Sequence, residues 1–383
     1  MKITIVLSIL ISLSALLISQ AAGSSVLPLS GEKMKQISSI TNETMLNCKA
    51  PGLLLGIWQD DKEPYILTKG YSSLIPKKKI NAEDTFRIGS MTKTFTATVI
   101  LQLVDEKLLS LDDKLSKYIT TVPNADKITI RQLLNMTSGV PDAFANKTFS
   151  NWVTRTPETP RSPYDIYYFT ATGKPQFEPG KECIYSNSNY FILGLIIEQL
   201  TNKTPRQAIT ERVIDKLNLK HTFYPVTTNM PKPYMKGYFM GTDGKIAEAK
   251  PVSPSITGTT GAMISNMEDM ALYVKTLYNG SLISKEMNAE RQKWNRISGM
   301  TEIYSNGSLV VYSYGLGLFN IGGGIGHGGM VNGYSCGAYY FPEKDTTIVM
   351  VINNLNVDDF SKSVSRVCEV LFDYDYPFGM KDQ

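Results

Sequence analysis

Histidine is scarce in this 383-residue chain, which holds only His221 and His327, and cysteine is limited to Cys48, Cys183, Cys336 and Cys368. Two histidines cannot build a histidine-rich metal centre, and the cysteine spacing fits no zinc motif, so neither metal nor cofactor is expected. Charge of one sign is lacking too: the formal net charge is +4, with acids and bases interspersed, which gives no reason to expect nucleic acid or an anionic membrane as partner. There is no internal repeat and no low-complexity tract. The apolar run from Ile3 to Ile18 is shorter than a usual membrane span. Preceded by Lys2 and followed by Ser19-Gln20-Ala21, it reads as an export signal over residues 1–21, cleaved after Ala21. No cysteine follows the cleavage point, so a lipid anchor is not expected. The mature chain is expected in the periplasm or secreted, with no stable membrane insertion.

Ordinary apolar and aromatic content over this length allows a large core. Gly31 to Leu46 reads as a surface helix, and Leu53 to Trp58 with Tyr65 to Thr68 reads as a β-hairpin. Thr129 and Gln132 form a capping box for a short helix that closes near Gly139. Val140 to Lys181 shows no clear periodicity, as site walls and lids often do. Helices follow from Asn189, from Thr204-Pro205 through Leu217, and from Ser265 to Gly280. Strand patterns return at Val310 to Phe319, Gly333 to Phe341 and Thr346 to Ile352, before a last helix over about 360–372. Strands at both chain ends with helices between predict an α+β fold. Residues 22–383 would form one unit: an antiparallel sheet closed by the two termini and flanked by helices, with a mainly helical subdomain at about 110–260. Export permits disulfides, for which four cysteines have three pairings. Cys48 at the end of the first helix and Cys368 in the last are the first pair to expect, with free buried thiols as the alternative.

Three polar clusters stand out against this frame. In Phe86-Arg87-Ile88-Gly89-Ser90-Met91-Thr92-Lys93, Ser90 reads as the N-cap of an apolar helix bearing Phe95, Val99, Ile100, Leu103 and Val104. Lys93, three residues on, would lie beside its hydroxyl. An ammonium held against an apolar core near a helix N-terminus loses part of its preference for the charged form, so Lys93 could act as base to a Ser90 nucleophile. Ser-x-x-Lys alone is a weak signal, and Ser30-Gly31-Glu32-Lys33 repeats it in a polar segment. The second cluster, Tyr185-Ser186-Asn187, precedes a helix with apolar Leu193, Ile196, Ile197 and Leu200. The third, His327-Gly328-Gly329-Met330, follows Gly322-Gly323-Gly324, and glycine this dense lets a backbone approach a ligand closely. His221 has no polar companions and reads as packing. No acidic residue is marked to orient His327, so no Ser-His-Asp arrangement is evident, and the glycine run lacks the lysine and helix of a phosphate loop.

Together, in this order and spacing, the three clusters resemble the serine hydrolase family of class C β-lactamases and D-alanyl-D-alanine carboxypeptidases. The likeness spans nearly the whole mature chain and extends to Leu133-Leu134-Asn135-Met136-Thr137-Ser138-Gly139, Glu178-Pro179-Gly180 and Gly258-Thr259-Thr260-Gly261-Ala262-Met263. A second Tyr304-Ser305-Asn306 lacks a following helix and is set aside. The resemblance implies that Ser90 is acylated with Lys93 as its partner, and that Tyr185 carries protons to the leaving group and assists the deacylating water. It implies that Asn187 holds the acyl-side amide of the substrate and that the N–H groups of Ser90 and Met330 form the oxyanion hole. Lys93 and Tyr185 both remain candidates for the acylation base.

The chain departs from that family at the third cluster. Class C β-lactamases have a lysine where this chain has His327, which argues against efficient β-lactam hydrolysis. Carboxypeptidase relatives with histidine there follow it with hydroxyl side chains that help hold a substrate carboxylate, whereas Gly328 and Met330 offer none. The expected activity is a serine acyl-hydrolase working on small acyl compounds or D-amino-acid peptides, peptidoglycan included, of D-alanyl-D-alanine carboxypeptidase type. An esterase or amidase, a weak β-lactamase and a catalytically idle peptidoglycan-binding protein are the alternatives.

Overall fold

Strand alternation sets the architecture. Every second residue of Gly52–Gln59 is a large aliphatic on one face, and Thr346–Ile352 repeats the pattern, so the two strands pair with both faces buried. In the computed structural model, which describes residues 25–26, 29–59, 62–303, 309–356 and 358–373, these strands lie side by side within a nine-stranded sheet. The expected export signal and Tyr304-Ser305-Asn306 lie outside the described residues. Among the described residues, no helix is long and apolar enough to cross a membrane.

In chain order the main elements begin with helix α1 (Gly31–Asn47) and strands β1 (Gly52–Gln59), β2 (Tyr65–Leu74) and β3 (Lys77–Lys79). Helices α2 (Thr92–Asp105), α3 (Ser188–Thr201) and α4 (Met267–Asn279) follow. Strands β4 (Asn295–Ile303), β5 (Leu309–Tyr314), β6 (Phe319–Ile321), β7 (Gly324–Val331), β8 (Tyr334–Phe341) and β9 (Thr346–Ile352) then lead to helix α5 (Asp358–Leu371). The sheet order is β4-β5-β6-β7-β8-β9-β1-β2-β3, and all its pairings are antiparallel. The chain ends meet where β9 lies against β1, with Ile348 opposite Ile57, Met350 opposite Leu55 and Ile352 opposite Leu53. The stretch between α2 and α4 contributes no strand to this sheet. The α+β class and the closure by both termini are as the sequence predicts.

The sheet has two differently covered faces. On the rear, Leu53, Leu55, Ile57, Ile348, Met350 and Ile352 pack with Ile37 and Ile40 of α1 and with Phe360 and Val367 of α5. On the front, Leu54, Val349, Val351 and Ala338 join the larger core with Phe95 of α2, Ile196 of α3 and Val274 of α4. Helix α1 is therefore a sheet-covering helix and not merely a surface one. Its buried positions Ile37, Ile40, Thr41 and Thr44 fall at helical spacing but are too few to show as an apolar stripe.

Several local expectations are corrected. Helix α2 starts at Thr92, and Ser90 sits in the 3₁₀ turn Gly89–Met91 with no side-chain capping bond. The segment from Val140 contains helices at Lys147–Arg155 and Pro163–Ala171, opened by Asn146 and by a Ser162/Asp165 capping box. These bury so few residues (Phe149; Ile166 and Thr170) that no periodicity shows. The helix from Thr204 is regular only over Pro205–Ile209 before it widens into a π turn at Thr210–Ile214. The run from Val310 to Phe319 breaks into two strands at Gly315–Leu318, where Gly317 has φ +86°. His221 is exposed rather than packed; its backbone N–H donates to Asp269 Oδ2 at 2.8 Å, and the ring stays outside. All four cysteines are buried thiols, and Cys48 is not bonded to Cys368 although both belong to the rear core. Burial pushes the Cys48 and Cys183 thiols up to about 12, so they behave as small apolar side chains.

Candidate active site

The turn carrying Ser90 is pinned from both sides. Before it, Phe86 and Arg87 pair with Ser265 and Ile264, and Ile88 N donates to Met263 O at 3.0 Å. On the other side lies β7. Strand β6 covers β7 only over Gly324–Gly326, so the edge from His327 onward passes β6 and meets residues 88–90 instead. The approach needs glycine on both chains. A Cβ on Gly89, which has φ +49°, would stand 2.6 Å from Met330 N, and one on Gly329 would stand 1.9 Å from Ile88 O. The backbone just before Ser90 is thereby brought against Gly329 and Met330, a close approach of the kind that the dense glycine of the third cluster permits.

Ser90 is half-exposed while Lys93 is fully buried, so the surface offers the hydroxyl but not the amine. Lys93 Nζ reaches three oxygens: Ser90 Oγ at 3.0 Å, Asn187 Oδ1 at 2.8 Å and the Thr260 carbonyl at 2.9 Å. An ammonium donates to all three. A neutral amine donates to two and turns its lone pair to the third, which lets Ser90 donate to it. Burial moves Lys93 between these states, drawing its pKa down to about 7, while the charge of Asp142 opposes the shift. Near neutrality both forms are populated.

Tyr185 stands across Lys93, with the ring centroid 5.0 Å from Nζ. Its ring stacks on Phe319 at 6.1 Å and meets Tyr314 edge-on. The hydroxyl is buried and finds no hydrogen-bond partner among the described residues. Burial pushes its pKa far above the ordinary phenol range; Ser90, the neighbouring hydroxyl, favours the ionised form but is outweighed. The packing of its ring against Phe319 and Tyr314 holds the hydroxyl in place.

Asn187 immediately precedes α3 and makes no side-chain cap to it. While Oδ1 accepts from Lys93, Nδ2 donates to Asp142 Oδ2 at 3.0 Å and the backbone N–H donates to the same oxygen at 3.2 Å. His327 is buried among Tyr185, Tyr314 and Phe319. Its Nδ1 contacts the Gly328 carbonyl, which places the ring proton there and leaves Nε2 to accept from the Tyr314 hydroxyl at 3.0 Å. Burial, with Lys93 nearby, draws its pKa down to about 3, so the ring is neutral. Gly328 and Met330 are half-buried and Gly329 is buried.

The structure thus brings together all eight residues singled out in the sequence: Ser90, Lys93, Tyr185, Asn187, His327, Gly328, Gly329 and Met330. Three further groups escaped sequence reading. Asp142 lies three residues past the matched phrase ending at Gly139, close enough to have been included. Thr260 falls inside the phrase Gly258 to Met263, but it acts through a carbonyl, which no side chain advertises. Tyr314 reads in the sequence only as part of an alternating strand. Among the described residues no group of three or more His, Cys, Asp or Glu side chains is arranged to hold a metal ion.

Comparison with known proteins bears on this geometry. Protein flp of Staphylococcus aureus (strain MW2) is 28% identical over 347 residues, covering 88% of this chain and 66% of flp. The chain thus spans just under two thirds of the length of these curated relatives. Among solved structures, a D-stereospecific amidohydrolase from Streptomyces sp. superposes with a TM-score of 0.77 at 27% identity, covering 89% of this chain and 98% of that one. A D-amino acid amidase from Ochrobactrum anthropi SV3, complexed with L-phenylalanine amide, has the same fold, with a TM-score of 0.76 at 23% identity over 90% and 99% of the two chains. The Beta-lactamase family matches residues 37–366, a span that contains the whole sheet and every site residue described above, and this chain belongs to that family and has its fold.

Proposed function

We propose that the protein is a serine acyl-hydrolase that forms an acyl-enzyme at Ser90, with neutral amides and esters of D-amino acids as its preferred substrates. The observation that carries the chemistry is the buried Lys93 amine, 3.0 Å from a half-exposed serine and drawn to a pKa of about 7. In its neutral form Lys93 takes the Ser90 proton as Oγ attacks the substrate carbonyl. Tyr185 is the poorer base, because burial moves its ionisation in the wrong direction. Its unpartnered hydroxyl instead suits proton delivery: it passes the proton held on Lys93 to the departing amine or alcohol, and later helps water attack the ester. The N–H groups of Ser90 and Met330 receive the oxyanion, a role supported by the contact between Gly89 and Met330. Asn187 keeps its second Nδ2 hydrogen for the acyl-side amide.

The preference for neutral substrates rests on the third cluster. Carboxypeptidase action requires a group to hold the terminal carboxylate. His327 is uncharged and already bonded to Tyr314 and Gly328, and neither Gly328 nor Met330 supplies a hydroxyl. An amide or ester leaving group makes no such demand. The similarity to the Streptomyces D-stereospecific amidohydrolase points the same way.

The test compares D-phenylalanine amide, a short-chain nitrophenyl ester and a D-alanyl-D-alanine peptide on wild type and Ser90→Ala, with fluorescent penicillin as an acylation probe. The amide and ester should turn over faster than the peptide, and only wild type should react. Equal turnover by the Ser90→Ala variant would refute the nucleophile. Release of D-alanine faster than amide or ester cleavage would replace the substrate class with carboxypeptidase, and binding of muropeptide without any turnover or adduct would replace the enzyme with a binding protein.

A further inference from the structure

Three consecutive residues at the entry to α3, Asn187 to Asn189, are each tied to one loop, residues 138–143. Asn189 Oδ1 accepts from Ser138 Oγ at 2.6 Å, and Ser188 Oγ accepts from the Ala143 N–H at 2.9 Å. Asn187 donates twice to Asp142 Oδ2. The other Asp142 oxygen accepts from Phe144 N at 3.0 Å, so the carboxylate is held at both ends.

This matters because the end of an asparagine side chain can be turned over. Its oxygen accepts and its nitrogen donates, so a flipped Asn187 would present N–H groups to the Lys93 ammonium and break a contact of 2.8 Å. An ionised carboxylate only accepts, so Asp142 admits the NH₂ end alone on its side. We propose that Asp142 is a positioning residue for the Ser90 chemistry: it fixes the Asn187 amide with its oxygen toward Lys93 and one N–H toward the acyl side of the substrate. This inference rests on the reading of Ser90 and Lys93 as nucleophile and base.

The role has a charge component as well as a geometric one. Asp142 favours the ammonium form of Lys93 against burial. Removing its charge therefore lowers the Lys93 pKa and moves the acid limb of the pH–rate profile to lower pH. A residue that merely supported the loop would leave that limb in place.

The experiment uses Asp142→Asn, which keeps size and loses charge, and Asp142→Ala, which loses both. In Asp142→Asn the acid limb of kcat/KM should move to lower pH and kcat should fall about tenfold or more, since small misplacements at a reacting centre cost up to about a hundredfold. In a crystal structure of Asp142→Ala the Asn187 Oδ1 to Lys93 Nζ contact should open beyond hydrogen-bond reach. An unmoved acid limb with unchanged kcat in Asp142→Asn, or a retained 2.8 Å contact in Asp142→Ala, would overturn the proposal. Should Asp142→Ala not fold, the Asp142→Asn profile and structure decide alone. Absence of Ser90-dependent turnover in wild type would strike the functional reading instead, and the crystallographic contact would still judge Asp142.

Discussion

The two faces of the central sheet are built from the same alternating strands, yet the polar groups buried beside them differ in kind. On the rear, Leu55, Ile57, Ile348 and Met350 meet α1 and α5 in an apolar layer, and each fully buried aliphatic contributes about 1.5–3 kcal/mol. On the front, Lys93 and His327 are as deeply buried, beside the half-buried Tyr185. The buried hydroxyls of α1 on the rear, Thr41 and Thr44, bond instead to carbonyls of their own helix. The difference teaches where the fold's stability is spent: removal of a side chain should separate activity from stability according to the face it comes from.

The largest expected effect on turnover comes from the front. Lys93→Ala removes the proposed base and leaves Asn187 Oδ1 and the Thr260 carbonyl without their donor; kcat should fall about 10³-fold or more. A steady-state assay on the ester substrate checks this, and retention of even a tenth of the wild-type rate would break the contrast. Tyr185→Phe comes next. Loss of the proton carrier should lower kcat by about 10²-fold. The ring and its stacking on Phe319 remain, so stability should change by less than about 1 kcal/mol. A fall in Tm alongside the fall in kcat would show that the hydroxyl is bonded in solution.

The pH profile sharpens the same comparison with a smaller effect. With Lys93 near 7 and active as the neutral amine, its active fraction rises as pH rises, so kcat/KM should climb about tenfold between pH 6 and pH 8. His327, drawn down to about 3 and bonded to Tyr314, should add no limb in that window. A profile flat from pH 6 to pH 8 would assign the base elsewhere.

How much of this was legible beforehand depended on which atoms do the work. The strands were readable because both faces of β1 and β9 are apolar, and the site was readable because Ser90, Lys93, Tyr185, Asn187 and His327 act through side chains of distinctive chemistry. The start of α2 was misplaced by two residues. Ser90 has the side chain of a good cap, but Lys93 claims its oxygen, and the turn before Thr92 is 3₁₀. Thr260 was invisible because a carbonyl is common to every residue. The Cys48–Cys368 pairing failed because two thiols can share a core without being bonded, and spacing along the chain does not distinguish these cases.

The smallest effect on turnover is expected on the rear face, from Leu55→Ala. Leu55 is fully buried opposite Met350, on the side of the sheet away from Ser90. Truncation should cost about 2–5 kcal/mol, from lost burial and from the cavity left where α1 and α5 hold the layer open. Denaturant titration should show this as a lower midpoint with an unchanged slope. The kcat of the protein that remains folded should match wild type, because within the sheet β9 and β8 separate β1 from β7, and Gly329 and Met330 on β7 are held by their own pairing with Cys336 and Ser335 of β8. If kcat falls with stability, the strands transmit rear packing to the oxyanion site, and the two faces are one mechanical unit rather than two.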